Sequence, residues 1–150
     1  MAGNKKPRKV YRERQLRCPM TGAARDELAF KIHGAVSSFI HEPSADSFNR
    51  CCTYMSIAGR AVANETRYRD ARQRELRLKQ FQSLILTAES IYERYERTGK
   101  LHVTESDKGA YRNAAAAIDG MLGEIDYSTF VVAKHQVYEE MRQRGMEPVE

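Results

Sequence analysis

The stretch Leu78-Lys-Gln-Phe81-Gln-Ser-Leu84-Ile85-Leu-Thr-Ala88-Glu-Ser-Ile91-Tyr92-Glu-Arg-Tyr95-Glu-Arg-Thr98-Gly99 places its apolar residues at steps of three and four. Such steps mark one face of a 3.6-residue period, so the spacing predicts an amphipathic helix. Gly99 fits the position after its last turn, where a left-handed backbone carries no steric penalty for glycine. After a short link, Thr104-Glu-Ser-Asp107 resembles a capping box and opens another helix.

Downstream, Ala110, Tyr111, Ala114, Ala117, Ile118, Met121, Leu122 and Ile125 continue the helical period. The alanine run 114–117 permits a close helix–helix approach. Asp126-Tyr127-Ser128 interrupts the pattern, and Ser128 is the expected cap of a last helix carrying Phe130, Ala133, Val137, Tyr138 and Met141. Gly145 and Pro148 end it. Leu84, Ile85, Ala88, Ile118, Met121, Leu122, Phe130 and Val137 are expected to share one core.

Upstream, Thr21 and Gly22 open a first helix with the stripe Leu28, Ile32, Ala35, Val36 and Phe39. His41-Glu42-Pro43 closes it, because the residue before proline is pushed out of the helical region. Ser44 or Ser47 caps a second helix with the stripe Phe48, Cys51, Cys52, Met55, Ala58 and Val62. Residues 63–77 are ambiguous. The second and third helices either fuse or break near Asn64–Thr66, with Thr66 as the new cap. A break is expected, since a fused helix would far exceed the ordinary dozen or so residues.

The fold class that follows is all-α: a small bundle of about five helices over residues 21–150, behind a basic tail at 1–20. Short links make helices three, four and five antiparallel neighbours, and helices one and two a further hairpin. A length of 150 residues suits one domain. No apolar run approaches the ~18 residues of a membrane helix, and none follows the basic N-terminus as a secretory signal requires. Three cysteines, two of them adjacent, fit a reducing cytoplasm better than a disulfide framework.

The net charge of +5 is unevenly placed. Residues 1–20 carry seven basic residues against Glu13 alone, residues 65–82 carry six against three acids, and residues 83–150 carry eight against twelve. This asymmetry speaks of partners rather than of fold. The tail has too few apolar residues to offset its ordering entropy and is expected to be flexible.

Chemistry-bearing motifs are scarce. The sequence has no CxxC, HxxxH or ExxH and no paired Glu-x-x-His, so neither zinc nor a di-iron site is expected. It has no GxxxxGK[ST], GxGxxG or GxSxG either. Glu89, Glu93 and Glu96 share a helix face, but Arg94 and Arg97 lie among them, as on a solvated surface. No cofactor and no catalysis are expected. Cys51 and Cys52 read as core thiols.

Two contact classes remain open. Lys5, Lys6, Arg8, Lys9, Arg12 and Arg14 of the tail, with Arg67 and Arg74, are candidates for neutralising the phosphates of DNA or RNA. Tyr68, Arg72 and Arg77 are candidate anchors for a protein partner, since Tyr and Arg dominate interface hot spots.

Lys5-Lys-Pro-Arg-Lys-Val-Tyr-Arg12, the run Ile91-Tyr-Glu-Arg-Tyr-Glu-Arg-Thr-Gly-Lys100 and the Thr104-Glu105 helix start resemble small uncharacterised proteins carried by bacteriophages and related mobile elements of proteobacteria. The resemblance spans the tail and residues 80–123. It implies an all-helical fold and a mobile-element context; the uneven charge and the tyrosines make a host protein the leading expected partner, and the lack of a long apolar run makes a membrane partner unexpected. The resemblance implies no particular activity or site.

Overall fold

A computed structural model describes residues 20–66, 68 and 70–148. Residues 1–19 of the expected flexible tail lie outside the described residues, and its last residue, Met20, is instead buried in the core. Five helices form, and no strand occurs among the described residues: α1 (Gly22–His41), α2 (Ala45–Asn64), α3 (Ala71–Thr98), α4 (Glu105–Leu122) and α5 (Tyr127–Gln143). None of them is long and apolar enough to cross a membrane.

Local side chains explain most of the boundaries. The Thr21 hydroxyl accepts from the Ala24 N–H at 3.2 Å and starts α1. Ser44 and Ser47 form a reciprocal capping box at α2, with bonds of 3.1 and 2.9 Å. Thr104 and Asp107 do the same at α4. Gly99 stops α3 at φ 69°, and its N–H reaches the Tyr95 carbonyl at 2.8 Å.

Two starts differ from expectation. The chain does break after Asn64, but α3 is capped by Asp70, whose carboxylate accepts from the Arg72 N–H at 2.9 Å, and not by Thr66. The Glu65 and Tyr68 side chains are drawn to the α4–α5 turn, which holds their own stretch of chain out of the helix. Likewise Ser128 lies inside α5, and Asp126 occupies the cap position. The Asp126 N–H is taken by the Glu65 carboxylate at 3.1 Å, and this bond sets where α5 begins.

The first four helices close a ring of contacts, α1 on α2, α2 on α3, α3 on α4 and α4 back on α1. The expected α4–α5 pairing is corrected: α5 packs chiefly on α2, the largest helix pair in the molecule. This is possible because α2 buries two faces. Cys51, Met55, Ala58 and Val62 belong to the stripe read from the sequence. Thr53, Ile57 and Ala61 are buried as well. Thr53 meets the Met141 sulfur at 3.9 Å, Arg60 pairs with Glu140 at 2.8 Å and Asn64 donates to Gln136 at 2.8 Å. The ladder rises along α2 as it falls along α5, so the two helices run antiparallel.

The ring encloses Phe39, Ile32, Ile91, Ile118, Met121 and Tyr111, all essentially inaccessible to solvent. The Phe39 ring tilts against Tyr111 at 4.8 Å and against Phe48 at 5.7 Å. Leu84, Ile118, Met121, Leu122, Phe130 and Val137 join this single core as expected. Ile85 does not: it is 56% exposed. Leu84 and Ile85 are 100° apart on the helix, and Leu84 takes the inward direction. Ala88 is half-buried, and Tyr92 and Tyr95 are exposed.

Candidate functional site

The arginine-rich segment runs into the fold instead of away from it. Glu124, in the α4–α5 turn, is met by four donors from the 68–77 region. Gln73 Nε2 and Arg77 Nη2 donate to Oε1, both at 2.9 Å. The Tyr68 hydroxyl at 2.8 Å and Arg77 Nε at 3.2 Å donate to Oε2. Arg77 and Glu124 thus form a bidentate, mostly buried pair. Close by, Glu65 is only 3% exposed. Together these contacts clasp the α2–α3 linker to the α4–α5 turn.

Gly120 makes room for the clasp. A Cβ there would stand 2.5 Å from Arg77 Nη2, so any side chain would displace the guanidinium. Partial burial of Glu124 raises its pKa, but the hydrogen bonds from Arg77, Gln73 and Tyr68 outweigh it and hold the carboxyl below its ordinary range. Burial, then the hydrogen bond to Glu124, pushes the Tyr68 hydroxyl well up. The same carboxylate raises Arg77. A carboxylate with both oxygens doubly occupied is not poised to move a proton. The arrangement orders two turns.

The candidate anchors therefore separate. Tyr68 and Arg77 are part of the clasp, and Arg74 donates to the Ala63 carbonyl at the end of α2 at 2.8 Å. Arg72 stands exposed on α3. Lys5, Lys6, Arg8, Lys9, Arg12, Arg14 and Arg67 lie outside the described residues. At the other end of α3, Arg94 pairs with Asp107 and donates to the His102 carbonyl, tying the helix to the α4 capping box.

Cys51 is buried, and Cys52 is half-buried at the edge of a groove between α2 and the end of α5. Burial pushes Cys51 up to about 12 and Cys52 up to about 11, far from the thiolate a nucleophile or metal ligand needs. The Tyr111 hydroxyl lies with these thiols as polar neighbours and makes no hydrogen bond of good geometry. Among the described residues no group of His, Cys, Asp and Glu is arranged to hold a metal. A shallow groove of about 450 Å³ separates α2 from the end of α5, but its Arg60 is already paired with Glu140.

Sequence reasoning passed over Glu124, Gln73 and Gly120, whose roles arise only in three dimensions. It also passed over the outer apolar residues of α5. Tyr127, Val131 and Val132 lie exposed together on its first turns. The signal was available: Phe130 to Ala133 is four apolar residues in a row, and a helix cannot turn all four inward. Comparison with known protein families, curated proteins and solved structures finds no match.

Proposed function

We propose that this chain is an accessory protein of a phage or mobile element that works by binding a host protein, without catalysis. The observation that carries the reading is the exposed Tyr127–Val131–Val132 patch on α5. Valine is a poor helix former because its branched β-carbon loses rotamer freedom against the preceding turn. Two half-exposed valines therefore weaken α5 while leaving much of their apolar surface uncovered by the described residues. A partner that covers them recovers their apolar surface. The inward turn of Arg74 takes one candidate phosphate contact away, and that of Tyr68 and Arg77 takes away two of the candidate protein anchors, so the reading rests on the α5 patch.

Binding of nucleic acid through the basic tail is the second reading, favoured by the seven basic residues in 1–20. A gel-shift titration of duplex DNA at two salt concentrations separates the two. Protein binding predicts weak, unsaturated shifts at physiological salt. A phosphate-binding arm with four to six contacts would give saturable binding whose log affinity falls against log salt with a slope of about −4 to −5, and that result would overturn the proposal.

A further inference from the structure

We infer that the cleft between α1 and α5 receives one apolar side chain of the partner, set among carboxylates, so that the partner's contact segment is acidic. The inference rests on the reading of α5 as the partner-binding helix and names the chemistry that meets it. α1 and α5 both pack on α2 but not closely on each other, which leaves a cleft of about 140 Å³ beside Tyr54 and Ile57. Its floor is apolar: Ile57 and Phe130 are buried, and Leu28 is half-buried. Pockets that hold whole small molecules begin at about 300 Å³, so this one has room for a single side chain.

Two lysines stand at the mouth, one from each helix. Lys134 is exposed, and its ammonium lies over the Tyr138 ring, 5.3 Å from the centroid, instead of on a carboxylate. Lys31 meets Glu27 at 3.0 Å, but both side chains are at least half exposed. A surface pair of that kind contributes little and leaves ammonium donors over for another acceptor. The mouth is therefore cationic above an apolar floor, the complement of an apolar residue flanked by Asp or Glu. The cleft is also continuous with the exposed patch. Tyr127, Val131, Lys134 and Tyr138 follow at steps of four, three and four, which places them along one line of α5. That line runs about 17 Å, the length of about five extended residues. A partner segment lying along it covers Tyr127 and Val131 and drops one side chain between Lys31 and Lys134.

The test is a titration of the full chain with the peptide acetyl-Asp-Glu-Phe-Asp-Glu-amide, followed by amide chemical shifts. Saturable shifts are expected at Lys31, Tyr54 and Lys134. Replacing the peptide's Phe by Ser should remove them, and so should replacing its acids by Lys. Lys31→Gln plus Lys134→Gln should weaken binding about three- to tenfold. Lys79→Gln plus Lys100→Gln, the same loss of charge at exposed positions on and just after α3, should leave it unchanged. Circular dichroism of both variants establishes that they are folded. No saturable shift, shifts that persist with the Ser peptide, or affinity that falls equally in both lysine pairs would overturn the inference. The probe is defined, so the result stands apart from capture of a host protein. Peptide binding without a captured host would keep the cleft and remove the host-binding reading, and a captured host without peptide binding would do the reverse.

Discussion

Replacing Glu124 by alanine removes the acceptor of four hydrogen bonds at one stroke. The Arg77 and Glu124 side chains are 11% and 23% exposed, so little water reaches the guanidinium left behind. Breaking a buried ion pair costs about 3–5 kcal/mol, because one charge remains uncompensated. Residual exposure on both sides lowers this to about 2–4 kcal/mol, including the loss of the Tyr68 and Gln73 bonds. For a chain of this length each kcal/mol moves the melting midpoint by about 2–4 °C, so a drop of roughly 4–16 °C is expected by calorimetry or circular dichroism. The variant should also open the amides of Glu65, Thr66, Tyr68 and residues 123–126 to hydrogen exchange before those of the core. A midpoint within 1 °C of wild type, with unchanged exchange in both turns, would show that the clasp is ornamental and that the turns are held by something else.

Four further outcomes follow from the same structure. Leu122→Ala, at a position 2% exposed, should cost about 2–5 kcal/mol in urea unfolding, whereas Ile85→Ala should stay within about 0.5 kcal/mol of wild type. Gly120→Ala should fail to show the ~1 kcal/mol gain that alanine brings to a helix, and should show it once Arg77 is also alanine; additivity between the two changes would contradict the close approach. The depressed Glu124 carboxyl contributes stability that is present above the ordinary glutamate range near 4.5 and lost as pH falls through its lower folded value, so Glu124→Gln should flatten the acid limb of stability against pH. The raised thiols act in the opposite sense: their contribution is complete below their ordinary value of 9.0 and declines as pH rises toward 12, and neither Cys51 nor Cys52 should be alkylated at pH 8 faster than the chain unfolds.

Where a helix begins or ends on a local side chain, the boundary was readable. Thr21, Ser44, Gly99 and Thr104 each act within four residues of themselves, and each sits where the one-dimensional pattern puts it. The misplaced starts are those set from afar. Glu65 reaches Asp126 across 61 residues and Tyr68 reaches Glu124 across 56, and no local rule reports either. The docking of α5 was hidden for a related reason. The second buried face of α2 mixes Thr53, Ile57 and Ala61 with Arg60 and Asn64, so it reads as the polar side of an amphipathic helix. The site shows the same division. The richness of residues 67–79 in arginine was plain, but whether an arginine serves a partner or its own fold depends on a single glutamate that the sequence places 47 residues beyond Arg77.

The central functional claim rests on the exposed patch of α5, and affinity capture from a nuclease-treated bacterial lysate addresses it directly. The bait should be the full chain, compared with Val131→Glu plus Val132→Glu and with Glu139→Ala as an exposed control on the same helix. The account predicts one host protein retained by wild type and by the control and lost from the valine variant, with all three baits equally folded. Retention of that protein by the valine variant, or capture that disappears for every bait once nucleic acid is digested, would contradict it.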